Sequence, residues 1–182
     1  MPNVKGTAVL PAVKLLRKNR EKAESCLDDV ARKMCAQRIL PGSWYPMEQA
    51  DPVMLAVTKL VGGSLRNAME VIGSFLATSD LQGVYSNIVF PGDVPKTLRR
   101  ATLLWRNYFD TGTLHYDQPD AGKQEVFFRL ENCLEKIPYC NGIIGMAKIA
   151  IEMAGKGARG FVDERRCTLH GEGHCEFHVQ WR

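Results

Sequence analysis

The hydropathy pattern of this 182-residue chain predicts an α+β fold in which a helical N-terminal two-thirds packs on a small antiparallel sheet. Three observations carry that expectation. Apolar residues recur at helical spacing through about residue 110. From there the period switches to two in Thr113 to Tyr116, Glu125 to Leu130 and two closing segments. A single further helical stretch, Asn141 to Ala154, separates the two pairs of strand-like runs. Internal repeats and Gly/Ser-rich linkers are missing, and the prolines fall singly between periodic segments. The chain therefore reads as one domain over 1–182, with a helical part of about 1–110 and a sheet-containing part of about 111–182.

The elements follow in order. Val4 to Leu10 reads as extended and Pro11 to Arg20 as helical. Glu21 to Gln37 repeats apolar or small residues at Ala23, Cys26, Leu27, Val30, Ala31, Met34 and Cys35, the pattern of an amphipathic helix with Cys26 and Cys35 on its buried face. Pro41, Gly42 and Pro46 interrupt it around Trp44 and Tyr45. Asp51 is a suitable N-cap, with Pro52 at the first helical position, for a helix toward Val61 that Gly62 and Gly63 end. Helices over Leu65 to Ala77 and Pro95 to Phe109 complete the first part. Phe161, Asp163, Arg165, Cys167 and Leu169 are expected to share one face of the first closing strand. Cys175, Phe177, Val179 and Trp181 share one face of the second, with Gly171-Glu172-Gly173 as the loop between them.

Composition bounds the function classes. With 45% hydrophobic and 24% charged residues the chain belongs to no disordered or fibrous class. Twenty-four Lys and Arg against 20 Asp and Glu give 24 − 20 = +4, too mild a bias for a nucleic-acid signature. The basic positions Lys14, Arg17, Lys18, Arg20 and Lys22 read as a solvated face. Met1 to Gly6 lacks the pattern of a secretion signal, and no apolar run approaches the ~20 residues of a membrane span, so a cytoplasmic protein is expected. Six cysteines are too few for a disulfide scaffold of this length.

One constellation carries chemistry: Glu164-x2-Cys167-x7-Cys175, with His170 and His174 inside the loop and Cys140 at the start of the preceding helix. A hairpin centred on Gly171 or Glu172 places Cys167 nearly opposite Cys175, and opposed strand residues have Cβ atoms ~4.5–5.5 Å apart. That spacing suits a shared Zn²⁺, a disulfide or plain core packing. Strict alternation sets Glu164 on the face opposite Cys167, so joint ligation requires a bulge. Cys26, Cys35 and Cys133 lie on helical patterns without a second ligand at metal spacing and read as structural. No G-x-S-x-G, phosphate-loop or H-E-x-x-H motif is present, which argues against an enzyme. His115, beside Tyr116 in a strand, reads as a half-exposed sheet residue. Trp44, Tyr45, Trp105, Tyr108 and Phe109 read as core filling or as a cavity wall.

A set of these residues resembles an uncharacterised myxobacterial family of about this size. It comprises Val4-Lys5-Gly6, Trp44-Tyr45-Pro46, the Gly73 helix, Leu98 to Phe109 with Trp105 and Tyr108-Phe109, and a closing Cys-x3-Gly-x3-Cys-x-Phe-x-Val-x-Trp. The C-terminal half is similar to the 4-vinyl-reductase-type domain, a relative of haem-nitric-oxide-binding domains and of the small subunits of transport protein particles. The resemblance implies helices on a curved antiparallel sheet, dimerisation and an apolar pocket for a small molecule.

It also implies a ligand set. In vinyl-reductase-type sensor domains zinc is held by an upstream Cys followed by Glu-x2-Cys-x7-Cys, which Glu164, Cys167 and Cys175 match. The upstream position falls on Asn141, with Cys140 one residue before it. Haem is not expected, because Tyr85-Ser86-Asn87 departs from the Tyr-x-Ser-x-Arg motif of the haem-binding relatives and all four histidines lie in the sheet region. The resemblance thus implies a non-enzymatic sensor or adaptor that binds a small hydrophobic or aromatic molecule. It would carry a structural zinc on Cys140, Glu164, Cys167 and Cys175, form a homodimer and signal to a separate protein partner. The alternative is a dimerising interaction module of the trafficking type with no regulatory ligand.

Overall fold

Helix formation begins earlier than the hydropathy of Val4 to Leu10 implies. Only Asn3–Lys5 (β1) is extended, pairing antiparallel with Trp44–Pro46 (β2) so that Val4 lies opposite Tyr45. The chain then turns into Gly6–Lys18 (α1), because Ala8, Val9, Ala12, Val13 and Leu16 form a single buried stripe at helical spacing. Pro11 lies inside that helix. The computed structural model describes residues 1–133 and 136–182.

The stretch expected as one helix over Glu21 to Gln37 is broken. Arg20–Ala23 (α2) passes through a 3₁₀ turn, and Asp28 then accepts a 2.8 Å hydrogen bond from the Ala31 amide to cap a new helix, Asp29–Ala36 (α3). The break leaves Cys26 and Cys35 only half-buried. Met47–Val61 (α4) starts five residues ahead of the Asp51-Pro52 signal, since Met47 and Ala50 already belong to its buried face. Leu65–Gln82 (α5), capped by Ser64, runs a turn past Ala77 because Leu81 continues its apolar stripe. Val94–Ala101 (α6) is capped by Asp93 and leads through a 3₁₀ turn to Trp105–Tyr108 (α7), so the stretch after Pro95 is segmented.

The C-terminal part holds the antiparallel sheet and the helix laid on it. Thr113–Asp117 (β3), Glu125–Glu131 (β4), Gly160–Arg166 (β5) and Cys175–Trp181 (β6) pair in the order β3-β4-β6-β5. Gly142–Ala154 (α8) packs on this sheet and along α5. The inner face of β6 is as expected, with Cys175, Phe177 and Val179 fully buried. On β5 the faces are reversed from expectation: Phe161 and Asp163 are exposed while Val162 and Glu164 turn inward. A bulge between Glu164 and Arg166 resets the register, so that Glu164 lies opposite Phe177 and Cys167 still reaches the inner side.

Candidate metal centre and internal cavity

Alternation along β6 delivers Cys175 to the core. On the facing strand, the Cys167 carbonyl accepts hydrogen bonds from the amides of His170 (2.9 Å) and Glu172 (3.4 Å), folding the chain into a 3₁₀ turn. Gly171 closes that turn at φ +86°, a conformation that favours glycine. A second 3₁₀ turn, Tyr139–Asn141, leads into α8 and carries Cys140 to the same place. The Cys167 sulfur lies 4.0 Å from that of Cys140 and 3.9 Å from that of Cys175. All three sulfurs fall within 4.8 Å of one another and all three residues are buried. Sulfurs bound tetrahedrally to one zinc at ~2.3 Å per bond stand ~3.8 Å apart, close to the two edges of 4.0 and 3.9 Å, so the triangle suits one face of a thiolate zinc site.

Hydrogen bonds to the Cys175 sulfur favour its thiolate form. The Thr168 amide donates to the Cys175 sulfur at 3.4 Å, and the Thr168 hydroxyl lies 3.4 Å from it. Hydrogen bonding from Cys133, then from Cys140 and Thr168, pushes the Cys175 thiol far below its ordinary range, against the effect of burial. Burial pushes Cys167 up, with Cys175 and Glu164 adding to the rise, although a hydrogen bond from the Leu169 backbone opposes it. Within the cluster the thiolate form is therefore favoured on Cys175 over Cys167.

Glu164 is directed elsewhere. The bulge turns its side chain inward, where it is 7% exposed and ion-paired to Arg66 of α5 at 3.1 Å. Its other oxygen accepts from the Asn141 amide at 2.8 Å. The structure thus brings Cys140, Cys167 and Cys175 together and engages Glu164 with Arg66 and Asn141. Cys133, which the sequence pattern sets aside as helical, borders the cluster, its sulfur 3.5 Å from the Thr168 hydroxyl. Its signal is its sequence distance from Cys140, which no helical periodicity would display.

The described residues line two small apolar cavities, the larger among the helices and the smaller between the helices and strands β3 and β4. One, of about 30 Å³, is lined by Met54, Met69, Gly73, Tyr108 and Tyr139 among others, and one of about 20 Å³ by Leu98, Leu114, Phe128 and Ile143. Trp105 and Met146 wall both. The ring of Trp105 is fixed by stacking on Phe109 at 4.3 Å and by donating from its indole N–H to the Thr111 carbonyl at 2.9 Å.

This arrangement of helices on a β3-β4-β6-β5 sheet has structural counterparts along its whole length. An H-NOX protein from S. oneidensis in an Fe(II)NO ligation state superposes with a TM-score of 0.69 at 12% identity, over 98% of this chain and 99% of that one. The fold is that of the H-NOX proteins. An unliganded Fe(II) H-NOX protein from K. algicida gives a TM-score of 0.71 at 7% identity over 98% and 96% of the two chains. A point mutant of the T. Tengcongensis H-NOX gives 0.69 at 13% over 98% and 97%. No protein-family model and no curated relative matches the sequence.

These H-NOX neighbours correct the expectation that set haem aside. The proteins sharing the fold include several described in Fe(II) states and one described for heme distortion, so haem is a group that proteins of this fold hold. As packed, the interior does not fit a haem. A pocket for a ligand of that size takes ~300–1,000 Å³, against the about 30 and 20 Å³ found. Among the described residues, no histidine lines either cavity: His115 lies near Glu131 on β3, His178 stacks on Phe127, and His170 and His174 belong to the hairpin turn. Among the described residues, no helix is long and apolar enough to cross a membrane.

Proposed function

We propose that this chain is a small-molecule sensing domain built on the H-NOX fold, in which a ligand enters the seam that the two cavities mark. The observation that carries this reading is the pair of apolar voids sharing Trp105 and Met146, the larger among the helices and the smaller between the helices and strands β3 and β4. Unbranched Met69 and Met146 are the side chains best able to yield space there. The ligand classes are a haem, to which the fold neighbours point and which requires the seam to open far beyond the about 30 and 20 Å³ it holds as packed, and a small apolar or aromatic molecule, which requires less opening and suits the seam's lining. The domain is non-enzymatic and cytoplasmic and spans the whole chain in this reading. The hairpin carries a structural zinc on Cys140, Cys167 and Cys175, tying the start of α8 to β5 and β6.

The test exposes the purified full chain to hemin and, separately, to indole, followed by visible absorption and native mass spectrometry. A stoichiometric complex with either, lost when Met146→Trp fills the seam in a still-folded protein, supports the reading. A folded protein that takes up neither overturns it.

The dimerising interaction module is a second reading, favoured by one observation. On α5, the helix that lines the larger cavity with Met69, Ile72 and Gly73, the opposite face leaves Val71 60% and Phe75 57% exposed. This pair, four residues apart on one face, is a place for a homodimer contact or for the separate partner that would receive a signal.

A further inference from the structure

We propose that Cys133 provides the fourth bond to a zinc held by Cys140, Cys167 and Cys175, and that Glu164 stays outside the coordination sphere as a brace between Arg66 and Asn141. The inference rests on the zinc reading above and deepens it.

Three sulfurs, two of their separations 3.9 and 4.0 Å and all within 4.8 Å, suit one face of a tetrahedron and leave one vertex to fill. Cys133 borders the triangle on the side of Thr168 and Cys175. Its sulfur lies 3.5 Å from the Thr168 hydroxyl, which in turn lies 3.4 Å from the Cys175 sulfur. The chain is steered there by Asn132, which adopts φ +55° immediately after β4, a left-handed conformation that a non-glycine residue enters at a cost. The turn points residue 133 back toward the hairpin and away from a continuation of the strand. The two pairs then form a closed set, Cys133-x6-Cys140 and Cys167-x7-Cys175, the all-thiolate donor type of structural zinc sites.

Glu164 has a different task with its own partners. Its carboxylate is buried, and both oxygens are occupied, one by the Asn141 amide at 2.8 Å and one by Arg66 at 3.1 Å. Drawing it onto a metal would strip Asn141, itself 2% exposed, of this acceptor. As a brace, Glu164 links β5 to the turn before α8 and to the first turn of α5, holding Asn141 beside Cys140.

The test is zinc K-edge X-ray absorption on the full chain loaded with one equivalent of zinc, with metal content measured in parallel, for wild type, Cys133→Ser and Glu164→Gln. Expected are four sulfur neighbours in wild type, one sulfur fewer in Cys133→Ser, and four retained in Glu164→Gln. Should Cys133→Ser fail to fold, a four-sulfur shell in both wild type and Glu164→Gln carries the assignment. A wild-type shell of three sulfurs and one oxygen, altered by Glu164→Gln and untouched by Cys133→Ser, overturns Cys133 while leaving the zinc reading standing. A wild-type protein that binds no zinc overturns both.

Discussion

Gly73 of α5 faces Gly142 of α8 with no side chain between them, and a Cβ on Gly73 would run into the Gly142 carbonyl. Three residues on, Gly145 repeats the arrangement: its Cβ would meet the Glu70 carbonyl and stand 2.6 Å from the Ser74 amide nitrogen. The backbones of the two helices touch because these positions lack side chains, and that closeness seals the larger cavity.

Gly145→Ala separates two opposing effects. Helix propensity alone favours alanine by up to ~1 kcal/mol. Overpacking against backbone that cannot swing away costs about 1–3 kcal/mol or more. The contact should win, lowering the thermal midpoint by several degrees at ~2–4 °C per kcal/mol for a chain of this size. Gly42→Ala is the control, since nothing lies within 4 Å of its added Cβ. A stability gain in Gly145→Ala would show that α5 and α8 are free to separate.

Metal removal tests the cysteine triangle in the same currency. A site absent from the unfolded chain stabilises the fold by binding, by about 2.7 kcal/mol at a free-metal excess of a hundredfold over Kd. Chelation should therefore lower the midpoint of wild type and leave Cys175→Ala unresponsive. Cys26→Ala, whose thiol contacts only the Lys22 carbonyl at 3.6 Å among the hydrogen bonds described, should respond to chelation as wild type does. Equal chelator response in wild type and Cys175→Ala would remove the site.

Tyr108 and Asp80 form a buried pair beside the larger cavity, the phenol donating to the carboxylate. Burial pushes the Tyr108 phenol upward, and the hydrogen bond to Asp80 and the Asp80 charge add to it, so the phenol keeps its proton. Tyr108→Phe removes the donor and strands a carboxylate that is 8% exposed. The expected cost is about 1–3 kcal/mol in chemical denaturation, with Tyr108→Phe/Asp80→Leu recovering part of it. Loss that persists undiminished in the double variant would assign the effect to packing alone.

How far the sequence discloses this structure depends on the range of the interaction. The strands and α8 are legible because a residue alternation or a stripe is a local signal, and β6 shows it in full. The start of α1 escapes the pattern because Thr7, Val9 and Leu10 suit a strand, and only the packing of Ala8, Val9 and Ala12 against the core decides for a helix. The reversed faces of β5 are beyond strict alternation, since one bulged residue flips every assignment before it. Cys167 and Cys175 are legible from the hairpin spacing and Cys140 only as the residue next to the position that the resemblance implies, whereas the Arg66–Glu164 ion pair spans 98 residues and has no local trace. Setting haem aside rests on a local motif, whereas the likeness to the H-NOX proteins, at 7–13% identity, lies in the backbone arrangement and leaves little local trace.

The Asp51 carboxyl on α4 gives a pH test whose direction can be worked out. Burial pushes it above the ordinary carboxylate range, and the hydroxyl of Tyr139, donating at 2.9 Å, and the charge of Lys136 only partly restrain the rise. The folded state therefore binds this proton more tightly than the unfolded chain, where Asp titrates near ~3.9. Below that value the contribution is fully present; as pH rises through the folded-state value it is lost, so stability falls across the window. Asp51→Asn keeps an oxygen to accept from Tyr139 and removes the ionisation. Its denaturation midpoint should exceed that of wild type at neutral pH and show a shallower decline from pH ~4 upward. Parallel curves for the two proteins across that range would mean that Asp51 is solvated well enough to ionise freely, and that the contact between α4 and the turn before α8 is looser than its hydrogen bond implies.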